Sequence, residues 1–96
     1  MLRLFNREPY INSVYSVLLR YERTDGPKPP NYYLFAYLIA RKQGAEIIIN
    51  KKGVFWSKPI DESKIGDLMA EYYNLPAWTQ IRLDWRARRA HPKKET

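Results

Sequence analysis

The chain has no cysteine among its 96 residues. That absence removes disulfides, thiolate nucleophiles and every zinc site that needs sulfur. Histidine is almost as scarce. The single His91 stands beside Pro92 with no neighbour to orient it, which excludes histidine-based triads and sites with several histidine ligands. The four glycines, at 26, 44, 53 and 66, are isolated, so no glycine-rich loop exists to cradle a phosphate. The longest apolar run, Tyr32 to Ala40, has nine residues, against ~20 for a membrane-spanning helix. Residues 1–7 lack the apolar core of a secretory signal, and position 2 is leucine, which excludes myristoylation. A cytoplasmic setting is expected.

What is abundant is positive charge and aromatic surface. Seventeen Lys and Arg against ten acids give +7, a balance that suits nucleic acid, an anionic membrane or an acidic protein surface. Hydrophobic residues make up 45% and include eight Tyr, three Trp and three Phe. That is enough for a core and too much for a disordered chain. One domain is the ceiling, because domains typically run ~100–150 residues. A chain this short buries roughly 60–65% of its unfolded surface, so association into a homo-oligomer would help it.

Segment 13–23 alternates Tyr15, Val17, Leu19 and Tyr21 with Ser16, Leu18, Arg20 and Glu22, which favours a strand. A helix using Ile11, Val14, Tyr15, Leu18 and Leu19 fits almost as well. Residues 24–31 hold three prolines and a glycine and must be a loop. The apolar run over 32–42 suits either a central strand or a buried helix closed by Gly44, and its tyrosines and phenylalanine tilt it towards strand. Ile47-Ile48-Ile49 and Val54-Phe55-Trp56 flank Asn50-Lys51-Lys52-Gly53, the chemistry of a hairpin turn. Asp61 is a good N-cap, and Ile65, Leu68, Met69 and Tyr72 recur with helical period. A helix over 62–73 follows, ended at Asn74 with Pro76 beyond. Ile81, Leu83, Trp85 and Ala87 alternate with Gln80, Arg82, Asp84, Arg86 and Arg88 and predict a half-buried strand over 79–88.

The expected architecture is α+β: a small antiparallel sheet in the order β-β-β-β-α-β, with one helix packed on it. The organisation is an N-terminal segment 1–12, a single domain 13–88 and a basic solvated tail 89–96. The alternative is a helix-turn-helix in which Ile65 to Tyr73 and Ala77 to Arg89 are the two helices and the hairpin is a wing.

Two basic clusters carry the functional expectation. From position 82 onward Arg82, Arg86, Arg88, Arg89, Lys93 and Lys94 outweigh Asp84 and Glu95 by four charges. Arg41, Lys42, Lys51, Lys52 and Lys58 outweigh Glu46 by the same margin. As a strand, the last segment puts Arg82, Arg86 and Arg88 on one face; as a helix, Arg82, Arg86 and Arg89. Either way guanidinium groups gather, and such forks suit phosphate oxygens. The expected function is therefore a non-catalytic nucleic-acid-binding protein using Arg82, Arg86, Arg88, Arg89, Lys51, Lys52, Lys93 and Lys94, with no metal and no cofactor. Phe55, Trp56 and nearby tyrosines could stack bases if exposed, although core positions suit them better.

The alternative is a protein-binding adaptor, inhibitor or subunit with an aromatic patch of Tyr72, Tyr73, Trp78 and Trp56. Asp67 and Glu71 lie four apart on the expected helix, but a solvated pair does no acid–base work. The Pro27-Lys28-Pro29-Pro30 stretch reads as a rigid loop rather than a docking motif.

Overall fold

Asn31 follows the proline loop and Gly44 closes the apolar run, and between them the chain is a helix. The computed structural model describes residues 13–90; the segment 1–12 and the residues from His91 on, including Lys93 and Lys94, lie outside the described residues. Among the described residues there are four helices and one hairpin: α1 (Val14–Glu22), α2 (Tyr32–Gln43), β1 (Ile47–Asn50), β2 (Gly53–Trp56), α3 (Ile65–Tyr73) and α4 (Ala77–Ala90). The domain is α+β with a two-stranded antiparallel sheet. Of the five strands in the expected order, the two of the hairpin are present, and the segments 13–23, 32–42 and 79–88 are helical instead.

Each replacement has a local cause. At α1 the Ser13 hydroxyl accepts from the Ser16 amide at 3.5 Å, an N-cap at the entrance to the segment. The helix buries Val14, Val17 and Tyr21, a spacing of three and four that the competing alternation conceals. At α2 the Asn31 Oδ1 accepts from the Leu34 amide at 2.9 Å. Gly44 ends the helix at φ 71°, where other residues are strained. Arg41 and Lys42 complete its last turn, on the side of the helix dipole that favours cations. A helix apolar nearly all round belongs in the centre of a fold, and α2 is the centre of this one.

At α4 the composition outweighs the alternation, since Ala, Arg, Leu and Gln are strong helix formers. The Pro76 carbonyl accepts from the Gln80 amide at 3.1 Å, and the Gln80 side chain donates to the Leu75 carbonyl at 2.9 Å. Together they close the first turn.

The hairpin forms as expected, in register from Ile47 opposite Trp56 to Asn50 opposite Gly53. Asn50 Oδ1 accepts from the Lys52 amide at 2.7 Å, and Gly53 takes φ 135°. Trp56 ties the hairpin to α2: its indole donates to the Ala36 carbonyl at 3.0 Å, and its ring lies 6.1 Å from that of Phe35. Helix α3 also matches its pattern, burying Ile65, Leu68, Met69 and Tyr72. It is entered through a 3-10 turn, Glu62–Lys64, capped by Asp61. Helices α3 and α4 follow one another across Asn74, Leu75 and Pro76, and each packs on α2.

Candidate nucleic-acid interface

Helix α4 packs along α2 through Leu83 and the fully buried Ala87. Asp84 adds a polar tether, accepting from the Asn31 side chain at 2.9 Å and from Arg88 Nε at 3.1 Å. The Asn31 hydrogen bond outweighs the opposing effect of burial and, with smaller help from Arg88, holds the Asp84 carboxyl below the usual carboxylate range. Asn31 thus caps α2 with its oxygen and anchors α4 with its nitrogen.

With that face inward, the outward face follows from the helical period. Arg82, Arg86 and Arg89 recur at i, i+4 and i+7 and are exposed, so they share one side of the cylinder. Among the described residues none of the three has a carboxylate partner. Beside them Trp78, Ile81 and Trp85 recur at i, i+3 and i+7, exposed to 61%, 45% and 57%. The Arg82 guanidinium lies 5.9 Å from the centre of the Trp78 ring. Arg88 lies apart from this group, because it pairs with Asp84 and sits 5.6 Å from the Tyr33 ring.

A cleft runs along the other flank of the arginines. It has a volume of about 500 Å³ and lies between α2, α3 and α4. Leu38, Leu68, Tyr72, Leu75 and Leu83 line its apolar part, and Arg41, Lys42, Arg82 and Arg86 bring cations to it. Glu71, also at the cleft, stands 4.0 Å from Lys42. Burial, reinforced by the charge of Asp84, holds the Tyr72 phenol above its ordinary pKa, so it stays neutral.

The structure therefore divides the residues singled out by sequence. It gathers Arg82, Arg86 and Arg89 and sets Arg88 aside. Lys51 and Lys52 are exposed at the hairpin tip, and the hairpin packs on α1 and α2. Of the aromatic patch, Trp56 (2% exposed) and Tyr72 (6%) belong to the core, where a partner does not reach them. Phe55 is buried as well. Tyr73 is exposed, with its hydroxyl donating to the Lys28 carbonyl at 2.6 Å, and Trp78, on the next helix, is exposed as well.

Sequence reasoning misses Ile81 and Trp85 as surface residues, since a strand turns both inward. Their spacing from Trp78 is the signal that could have found them. It also places Arg41 and Lys42 with the hairpin cluster, whereas the Gly44 helix stop carries them to the cleft. Among the described residues no group of three or more His, Asp or Glu could hold a metal ion, and no helix is long and apolar enough to cross a membrane. No protein-family model, curated protein or solved structure matches the chain.

Proposed function

We propose that this is a non-catalytic nucleic-acid-binding domain whose contact surface is the outward face of α4. The observation that carries the reading is the row Arg82, Arg86 and Arg89, exposed on one side of a helix without carboxylate partners among the described residues. Each guanidinium can fork onto phosphate oxygens and release a condensed counterion. Trp78 and Trp85, exposed beside the row, offer flat faces on which unpaired bases can stack. Phosphate contact supplies the affinity, and stacking favours single strands over duplex.

The test is a titration of a labelled single-stranded oligonucleotide across a series of salt concentrations. Three arginine–phosphate pairs give a log–log slope of about −2 on a single strand. Replacing Arg82 and Arg86 by Ala brings the slope closer to zero by about 0.7 for each arginine removed. A slope near zero in the unaltered protein rejects the reading.

A second reading has its own support. The stripe of Trp78, Ile81 and Trp85 is an exposed apolar surface of the kind that anchors protein partners. On this reading the domain is an adaptor or subunit, and a complex isolated from cells survives nuclease treatment and is lost in Trp78→Ala/Trp85→Ala.

A further inference from the structure

We infer that the cleft between α2, α3 and α4 binds a small amphiphile with an aliphatic body and a single anionic head. The inference goes beyond the nucleic-acid reading and shares only Arg82 and Arg86 with it. The two sides of the cleft differ in chemistry, and each specifies one end of the occupant.

The floor is aliphatic. Leu38 and Leu68 are buried, and Leu75 and Leu83 are half-buried beneath the opening. Tyr72 is the aromatic residue of the lining, and its hydroxyl already donates to the Gln80 carbonyl at 3.4 Å. A nucleobase or sugar laid on this floor would leave its polar edges without partners, which is costly. A hydrocarbon chain loses nothing there. The volume of about 500 Å³ falls within the ~300–1,000 Å³ of small-ligand pockets.

The rim is cationic. Arg41, Lys42, Arg82 and Arg86 oppose Glu71, and Lys42 stands 4.0 Å from that carboxylate. Three guanidinium groups remain at the lining, each able to hold a carboxylate or a phosphate by paired hydrogen bonds. The same charge argues against occupation by the protein itself. Residues 1–12 carry Arg3 and Arg7 against Glu8, residues 91–96 carry Lys93 and Lys94 against Glu95, and a second copy brings +7. Each would set positive charge against positive charge. The complement to this cleft is an anion.

The experiment is calorimetric titration of the full chain with dodecanoate below its micelle concentration. The parallel arms use dodecyl phosphate, decanoate, dodecanol, inorganic phosphate, and vesicles of phosphatidylglycerol or phosphatidylcholine. The expected result is saturable binding of one dodecanoate per chain, weaker by about tenfold for decanoate because two methylenes leave the floor. Dodecyl phosphate binds as well or better. Dodecanol and inorganic phosphate each bind at least tenfold more weakly, since each lacks one end. In R82A/R86A, whose side chains are on the surface, dodecanoate binding falls at least tenfold while the thermal transition is unchanged.

Thr79→Trp at the cleft obstructs it from the other direction and also abolishes binding. Equal affinity for dodecanol, no dependence on chain length, or undiminished binding by R82A/R86A overturns the proposal. So does binding to phosphatidylglycerol vesicles that free dodecanoate does not compete away, because that assigns the affinity to a flat surface. Trp78→Ala/Trp85→Ala separates the two readings: it weakens oligonucleotide binding and leaves dodecanoate affinity intact.

Discussion

Helix α2 spends its twelve residues on the core, burying Leu34, Phe35, Ala36, Leu38, Ile39 and Ala40, whereas α4, packed along it with fourteen, fully buries only Ala87. The neighbours are built to different ends. Every apolar residue of α2 after its first turn is accounted for by packing. On α4, Trp78, Ile81 and Trp85 face water, each forgoing roughly half of the ~1.5–3 kcal/mol that full burial of a large apolar side chain contributes. Two exposed tryptophans stand next to three arginines that lack carboxylate partners among the described residues, and the stability of the fold does not explain them. That contrast is the strongest reason to look for function on α4 and on the cleft beside it.

The contrast can be broken most directly by comparing two tryptophans. Trp56→Ala removes a buried ring and its bond to Ala36, and urea denaturation should record a loss of about 3–5 kcal/mol. Trp85→Ala should stay within about 0.5 kcal/mol. Similar losses for the two would mean that α4 is a core helix like α2.

Asn31 tests how the two helices are joined. Asn31→Ala deletes the cap of α2 and the tether to Asp84 together, and is expected to cost about 2 kcal/mol. Asn31→Ser should restore the cap and not the tether, so its stability falls between those of the wild type and the alanine variant.

The Asp84 tether also has a pH signature. Because the folded carboxyl titrates below the unfolded one, its contribution is present above the unfolded pKa of about 4. It is lost as pH falls through the lower folded value. Chemical denaturation between about pH 2 and pH 6 should therefore show part of the acid destabilisation missing in Asp84→Asn.

The smallest effect distinguishes the arginines among themselves. Arg88→Ala removes an exposed i, i+4 pair and should cost about 0.3–0.5 kcal/mol. Arg86→Ala should leave stability unchanged and alter only ligand and salt response.

Legibility in the sequence follows the range of the deciding interactions. Hairpin and α3 are readable because Asn50, Gly53, Asp61 and Asn74 act on atoms within a few residues of themselves. Two of the helices that read as strands, α1 and α2, have caps in plain view, Ser13, Asn31 and Gly44, but their apolar residues satisfy both periods. At α4 the decisive sign is a conflict. A helix requires Leu83 and Trp85 to part company, which on hydrophobicity alone argues for a strand. The structure has the helix, with Leu83 turned inward and Trp85 out. For the candidate site, the helical spacing of Arg82, Arg86 and Arg89 is legible, and their company is not. Arg41 and Lys42 reach the cleft across a sequence separation of about forty residues, through the packing of α4 on α2.

The sequence by itself determined the charge, the hairpin with its Asn-Gly turn, the proline loop and the capped helix ending at Asn74, because each depends on backbone preferences and on neighbours close along the chain. Tertiary structure alone decided that α1 and α2 pack around one centre, that Trp56 is core while Trp85 is surface, and that cations from α2 and α4 meet over an aliphatic floor. The physical reason is that exposure belongs to a face and not to a residue: a side chain is buried only when some distant part of the chain comes to cover it.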